Sequence, residues 1–228
     1  IINKDYVSQD VVARTLTFAS SQLKSVSTIT SSNLLGNNKG SVEKSITEIQ
    51  LSFNKRMISW ILLTGLMNYD ESFIRIHISQ FFIFWKNLLT HNYQSTLSST
   101  SAHDYKMVKA RMDEIFRNLE IRNYSLTCLL NFLSNITITP EIAKQSSYLL
   151  SKCLSYINSL EANLSSLSGK EREESYNSEK EKVILLHKKR VLQCYVKLSS
   201  YIKNDLNSSI LIFALKNFSD PEVFHEEL

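Results

Sequence analysis

The chain has 228 residues, with 26 Lys and Arg against 22 Asp and Glu, a formal charge of +4 at pH 7. That length buries a core without disulfides or metals, and only 4 Gly and 2 Pro leave too few turn formers for a sandwich, a barrel or a doubly wound sheet with glycine loops. A pI near 8.8 is far from the dense basic surface of a dedicated nucleic-acid binder. Composition therefore points to an all-α protein, and charge names no partner.

Apolar residues recur at spacings of three and four almost throughout, broken where polar residues collect, which predicts a string of helices. The first runs from Asp5 to about Ser27. Residues 28–40 (TITSSNLLGNNKG) concentrate Ser, Asn and Gly and read as a loop. A second helix starts near Ser41, whose hydroxyl suits a cap, and carries Ile46, Ile49, Phe53, Met57, Trp60 and Leu63 to about Asn68. Asp70 is the N-cap of a third helix reaching Leu89. So short a connection predicts an antiparallel hairpin over residues 57–89. The third helix is apolar around most of its circumference, through Phe73, Ile74, Ile76, Ile78, Phe81 to Trp85, Leu88 and Leu89, and so predicts an inner helix covered on more than one side.

Residues 93–103 form a second polar loop, after which Asp104 opens a helix with Met107, Met112, Ile115, Leu119, Leu126, Leu129 and Leu133, long enough to bend. Thr139 followed by Pro140 and Glu141 sets a capping hydroxyl ahead of a proline at the first helical position. That helix passes Ile142, Leu149, Leu150, Cys153, Leu154, Ile157, Leu160 and Leu164 and ends near Gly169. Residues 169–178 (GKEREESYNS) lack apolar periodicity and read as a charged loop. From Glu179 a further helix runs to Ile202, and a last one covers Asn207 to Phe218 before Asp220 and Pro221. Short turns within pairs of long helices, with longer polar loops between pairs, describe an alpha solenoid of HEAT-like hairpins, residues 1–228 being one segment of a longer array. An ordinary helical bundle shares the same periodicity. The missing initial Met and the absence of a signal-peptide pattern at the first residues fit a piece of a longer chain, and no apolar run reaches the roughly 20 residues of a bilayer span.

Candidate chemistry is sparse. Cys128, Cys153 and Cys194 stand singly among apolar residues with no CxxC pair, which reads as buried free thiols in a cytosolic protein. His77 and His91 have no Cys or carboxylate partner at helical spacing and read as packing or surface residues. Asp70 and Glu71 are explained by the helix start. No GxSxG, HExxH, P-loop or dinucleotide fingerprint is present, so neither an enzyme nor a cofactor or metal site is expected. In the run Lys188, Lys189, Arg190, three successive residues cannot share a helix face. Instead Lys182, Lys189 and Lys197 align with Gln193 opposite Ile184, Leu185, Val191 and Leu192. Such a stripe is ordinarily solvated. As a partner site, Lys182, Lys189, Arg190 and Lys197 would dock an acidic protein segment or an anionic lipid surface.

Residues 57–89 read MISWILLTGLMNYDESFIRIHISQFFIFWKNLL. With Trp60, Leu62, Gly65, Leu66 and Met67 followed by Arg75, His77, Phe84, Trp85, Lys86 and Asn87, this stretch resembles the large HEAT-repeat accessory proteins of the trans-Golgi clathrin adaptor. These are the fungal Laa-type (large alpha-adaptin-appendage-associated) proteins and their animal relatives, HEAT-repeat-containing protein five. Asp70 and Glu71 stand where that family tends to have a Gly-Pro turn. The resemblance implies a non-catalytic cytoplasmic scaffold that binds adaptor protein complex one and a smaller accessory subunit. It also implies possible self-association and peripheral recruitment through partners to the trans-Golgi network, endosomes and clathrin-coated vesicles. Trp60 and Trp85 would be core anchors, Gly65 a mid-helix site of close crossing against Trp85 or Phe81, and His77 a polar group reaching a buried partner. Two rival readings are a karyopherin-like transport receptor and a helical nucleic-acid-binding protein.

Overall fold

The computed structural model describes residues 9–23, 39–91, 105–165, 178–202 and 212. Among them run six helices and no strand: α1 Gln9–Leu23, α2 Lys39–Leu66, α3 Glu71–Leu89, α4 Tyr105–Asn135, α5 Pro140–Ser165 and α6 Ser178–Leu198. The loops expected over 28–38, 93–103 and 169–177 lie outside the described residues, as does the expected last helix apart from Ile212. Lys39, Gly40 and Ser178, read as loop, instead belong to helices, because a helix once nucleated by a strong apolar stripe propagates cheaply into adjoining polar residues.

Two helix starts are built as their sequences dictate. Asp70 is extended (φ −141°, ψ 136°), and its carboxylate accepts from the Ser72 backbone N–H at 3.2 Å and the Ser72 hydroxyl at 2.7 Å. Glu71 next to it accepts from Arg75 Nη2 at 2.6 Å and from the Thr137 backbone N–H at 2.9 Å. The Thr137 N–H and the Arg75 guanidinium hold the Glu71 carboxyl below its ordinary value. Arg75 also donates to Thr137 O at 3.2 Å, so the start of α3 is tied to the turn between α4 and α5. At that turn Thr139 Oγ1 accepts from the Ile142 N–H at 3.3 Å, and Pro140, which has no N–H, occupies the first helical position.

The helices make a two-layered array. α2, α4 and α6 are neighbours in that order, α3 packs on α5, and α1 with α2, α3 with α4, and α5 with α6 join the layers. Gln80 of α3 donates to Ser20 of α1 at 2.7 Å. The sequence assigned short turns to the inside of pairs, but the helices around the short turns, α2/α3 and α4/α5, are not the closest in backbone approach; those around the long polar stretches are closer. Bulky side chains explain this. Trp60 of α2 meets Trp85 of α3 as stacked rings 6.4 Å apart, a thickness that holds the two backbones away from each other.

Trp60 and Trp85 are both fully buried, and the Trp85 indole N–H donates to Ser125 O of α4 at 3.1 Å. Along α3 an aromatic ladder at i, i+4 spacing joins Phe73, His77, Phe81 and Trp85, with centroids 4.7, 6.3 and 6.3 Å apart. His77 is half-buried in that ladder between two phenylalanines. Gly65 is half-buried one residue from the end of α2, where its carbonyl accepts from the Asn68 N–H at 3.2 Å. It therefore sits at the helix terminus and not in mid-helix, and the close neighbours of α2 are α4 and α1, not α3. α3 is also less enclosed than its composition suggested: Ile76 is 77% and Ile83 53% exposed, because the ladder and its neighbours turn these two residues to the outside of the layer. A second cluster joins Met112, Ile115, Phe116 and Leu119 of α4 to Ile157 and Leu160 of α5 and Ile184 of α6. Cys128, Cys153 and Cys194 are free and buried, and burial pushes the first two thiols up to about 12, which leaves them unreactive at neutral pH.

Candidate interaction surface

α6 turns one arc inward, with Ile184, His187, Val191, Cys194, Tyr195 and Leu198 buried. The residues predicted to form a basic stripe do not behave as one group. Lys182 and Lys197 are exposed, while Lys189 and Arg190 are half-buried. Arg190 is held against α4: its Nε donates to Thr127 Oγ1 at 3.1 Å and its Nη1 to Gln193 Oε1 at 2.8 Å. Lys188, which the helical spacing leaves off the stripe, is only 8% exposed and its ammonium pairs with Glu161 of α5. Its position faces the seam between α5 and α6, and a buried ammonium requires a charge partner. Leu185, placed on the apolar side by sequence, is 38% exposed and shares the outer face with Leu186 and Val196. The outer face of α6 is thus mixed, with two exposed lysines among three aliphatic side chains.

This division is testable by denaturation. Lys182→Ala is expected to change stability by less than about 0.5 kcal/mol, whereas Lys188→Ala leaves Glu161 without its cation at a partly covered site and is expected to cost roughly 1–3 kcal/mol. Urea midpoints of the two variants at equal slope measure the difference.

Beneath this surface lies a polar cluster that apolar periodicity does not single out. Arg122 of α4 is wholly buried. Its Nη1 donates to Leu89 O at 3.3 Å and its Nη2 to His91 O, so it satisfies carbonyls at the C-terminal end of α3. The guanidinium lies over the Tyr156 ring of α5 at 3.9 Å, a favourable stacking arrangement. Beside it, Asn123 Oδ1 meets His187 Nδ1 of α6 at 2.8 Å, and Asn123 Nδ2 donates to Val183 O at 3.0 Å. The only sequence sign is a charged residue on a helical apolar row, Ile115, Leu119, Arg122, Leu126, Leu129.

Burial, and next the charge of Arg122, push the His187 imidazole down to about 3. The ring is therefore neutral in the folded chain at neutral pH, whereas an unfolded His binds a proton near 6.5. Below about pH 6.5 the unfolded state takes up a proton that the folded state refuses, so stability falls as pH drops from about 6.5 toward about 3. His187 alone is expected to contribute a slope of roughly 1.4 kcal/mol per pH unit in that window. Urea titrations at pH 7.5, 5.5 and 4.5 against His187→Gln, which lacks the titration, check it.

At the end of the array, the start of α5 and the residues after α6 enclose a groove of about 540 Å³, lined by Pro140, Ala143, Lys144, Tyr148, Tyr201 and Ile202. Tyr148 is 49% and Tyr201 46% exposed. Among the described residues no group of His, Cys, Asp and Glu could hold a metal ion, and no helix is long and apolar enough to cross a membrane.

Packed helix layers, buried thiols and polar groups committed to joining helices define a helical-repeat segment whose exposed features are suited to contact. No family model and no solved structure matches the chain. Over 97% of its length, 223 residues, it is 40% identical to "AP-1 accessory protein LAA1" of Saccharomyces cerevisiae. The chain belongs to the Laa-type family of clathrin-adaptor accessory proteins, and it spans about 9% of the length of that relative.

Proposed function

We propose that the chain is one segment of a non-catalytic helical-repeat scaffold acting in clathrin-adaptor traffic between the trans-Golgi network and endosomes. Its partners in this reading are adaptor protein complex one and a smaller accessory subunit, with a second copy of the scaffold as a further contact. The observation that carries the reading is the 40% identity, sustained over 97% of the chain, to a protein named as an AP-1 accessory protein. Repeat architecture supports it, since each helix pair packs mainly on its neighbours and leaves extended surfaces for other proteins. Recruitment to membranes is then peripheral and runs through partners. The nucleic-acid reading required Lys182, Lys189, Arg190 and Lys197 as a solvent-facing row, and Arg190 is instead bonded to Thr127 and Gln193; nothing specific favours the karyopherin-like reading.

Removal of the full-length protein from cells tests the role. Adaptor complex one, followed as a fluorescent fusion, is expected to disperse from trans-Golgi membranes into the cytosol. An unchanged distribution of the adaptor would overturn the proposed role.

A further inference from the structure

We propose that the groove beside the start of α5 docks a short acidic segment of a partner protein, anchored by one bulky apolar side chain. The proposal rests on the scaffold reading and places one of its contacts. The groove, about 540 Å³ in volume, has the size of sites that take a few side chains. Its apolar lining comes from Pro140, Ala143 and Ile202 together with the rings of Tyr148 and Tyr201. Both tyrosines are nearly half exposed, more than any other Phe, Tyr or Trp side chain among the described residues. Exposed tyrosines around a concavity are the composition of binding hot spots, because a rigid ring contributes large contact area for little lost side-chain entropy.

Charge selects the occupant. Lys144 is exposed and lines the groove, and the Lys152 ammonium stands 5.3 Å from the centre of the Tyr148 ring. The acid at this end of α5, Glu141, is engaged by Gln145 Nε2 at 2.7 Å. Ser151 is turned to its own helix, donating to Tyr148 O at 2.8 Å. The groove thus offers an apolar seat flanked by two ammonium groups, which fits carboxylates on either side of an aromatic or aliphatic anchor. Lys182, exposed on the outer face of α6 and not among the residues lining the groove, is the control position.

The test uses the 228-residue chain and a fluorescein-labelled peptide, Asp-Asp-Glu-Phe-Glu-Asp, read by anisotropy. Saturable binding is expected, weakened about tenfold by Tyr148→Ala or by Lys144→Glu and left unchanged by Lys182→Glu. The Ala-for-Phe and the Asn/Gln peptides are each expected to bind at least about tenfold more weakly. Since Tyr148 and Lys144 are exposed, thermal melts of the variants are expected to match the parent, and a matched melt excludes unfolding as the cause. Several results overturn the proposal: no saturable binding, binding indifferent to the groove variants, or equal loss with Lys182→Glu. If the groove variants change the sedimentation coefficient of the chain alone, the occupant is a second copy. If neutralising Asp220, Glu222, Glu226 and Glu227 in the same chain raises peptide affinity tenfold or more, the occupant is that acidic stretch of the chain itself. Either outcome discards the partner assignment. Dispersal of the adaptor in cells reads the scaffold role separately, so failure of the groove and failure of that role are distinguishable.

Discussion

Replacing Trp85 by Ala is expected to lower stability by roughly 3–5 kcal/mol. The indole is wholly buried, stacks on Trp60 at 6.4 Å, meets Phe132 of α4 at 5.2 Å and donates its N–H to Ser125 O at 3.1 Å. Its loss opens a cavity where α2, α3 and α4 meet and removes the indole hydrogen bond that ties α3 to α4. Ile76→Ala on the same helix, 77% exposed, is the control and is expected to stay within about 0.5 kcal/mol. Parallel urea melts give both values. Equal stability of the two variants would show that the inner and outer faces of α3 are wrongly assigned.

Arg122→Ala is expected to cost a similar amount, about 3–5 kcal/mol, for a different reason. The side chain is wholly buried, and its guanidinium donates to Leu89 O and His91 O while its centre lies over the Tyr156 ring. Removing it leaves two carbonyls at the end of α3 without that donor and opens a gap under the tyrosine ring. Arg122→Lys is expected to recover less than half of the loss, because an ammonium has neither the planar fork that reaches two carbonyls nor the flat face that stacks on a ring. Amide exchange localises the effect: protection is expected to fall first in the last turn of α3 for both variants. Recovery of full stability by Lys would show that charge alone, and not the shape of the guanidinium, matters at this position.

The all-helical class was legible because Gly and Pro are scarce and apolar spacing is strong. So were the starts at Asp70 and Thr139, where a capping oxygen is a local feature of a few residues. Which helices lie side by side was less legible. The short connection over residues 67–70 suggested that α2 and α3 approach most closely, yet the Trp60–Trp85 stack separates their backbones, and loop length carries no information about side-chain thickness. Lys188 shows the same limit on the surface. Its neighbours in sequence are lysine and arginine, but its angular position on α6 faces Glu161, a residue of another helix. The Arg122–Tyr156 and Asn123–His187 contacts depend on the register between three helices, which one sequence read locally does not encode.

The scaffold role proposed for this segment requires that its full-length protein travel with a clathrin adaptor. The full-length protein, tagged at its own locus and purified from cytosol, is read by quantitative mass spectrometry against an untagged control. The subunits of adaptor protein complex one are expected among the enriched proteins, and they should persist when exposed Lys182 and Lys197 are reversed in charge. Recovery of the tagged protein in good yield with no subunit of any clathrin adaptor enriched would contradict that role.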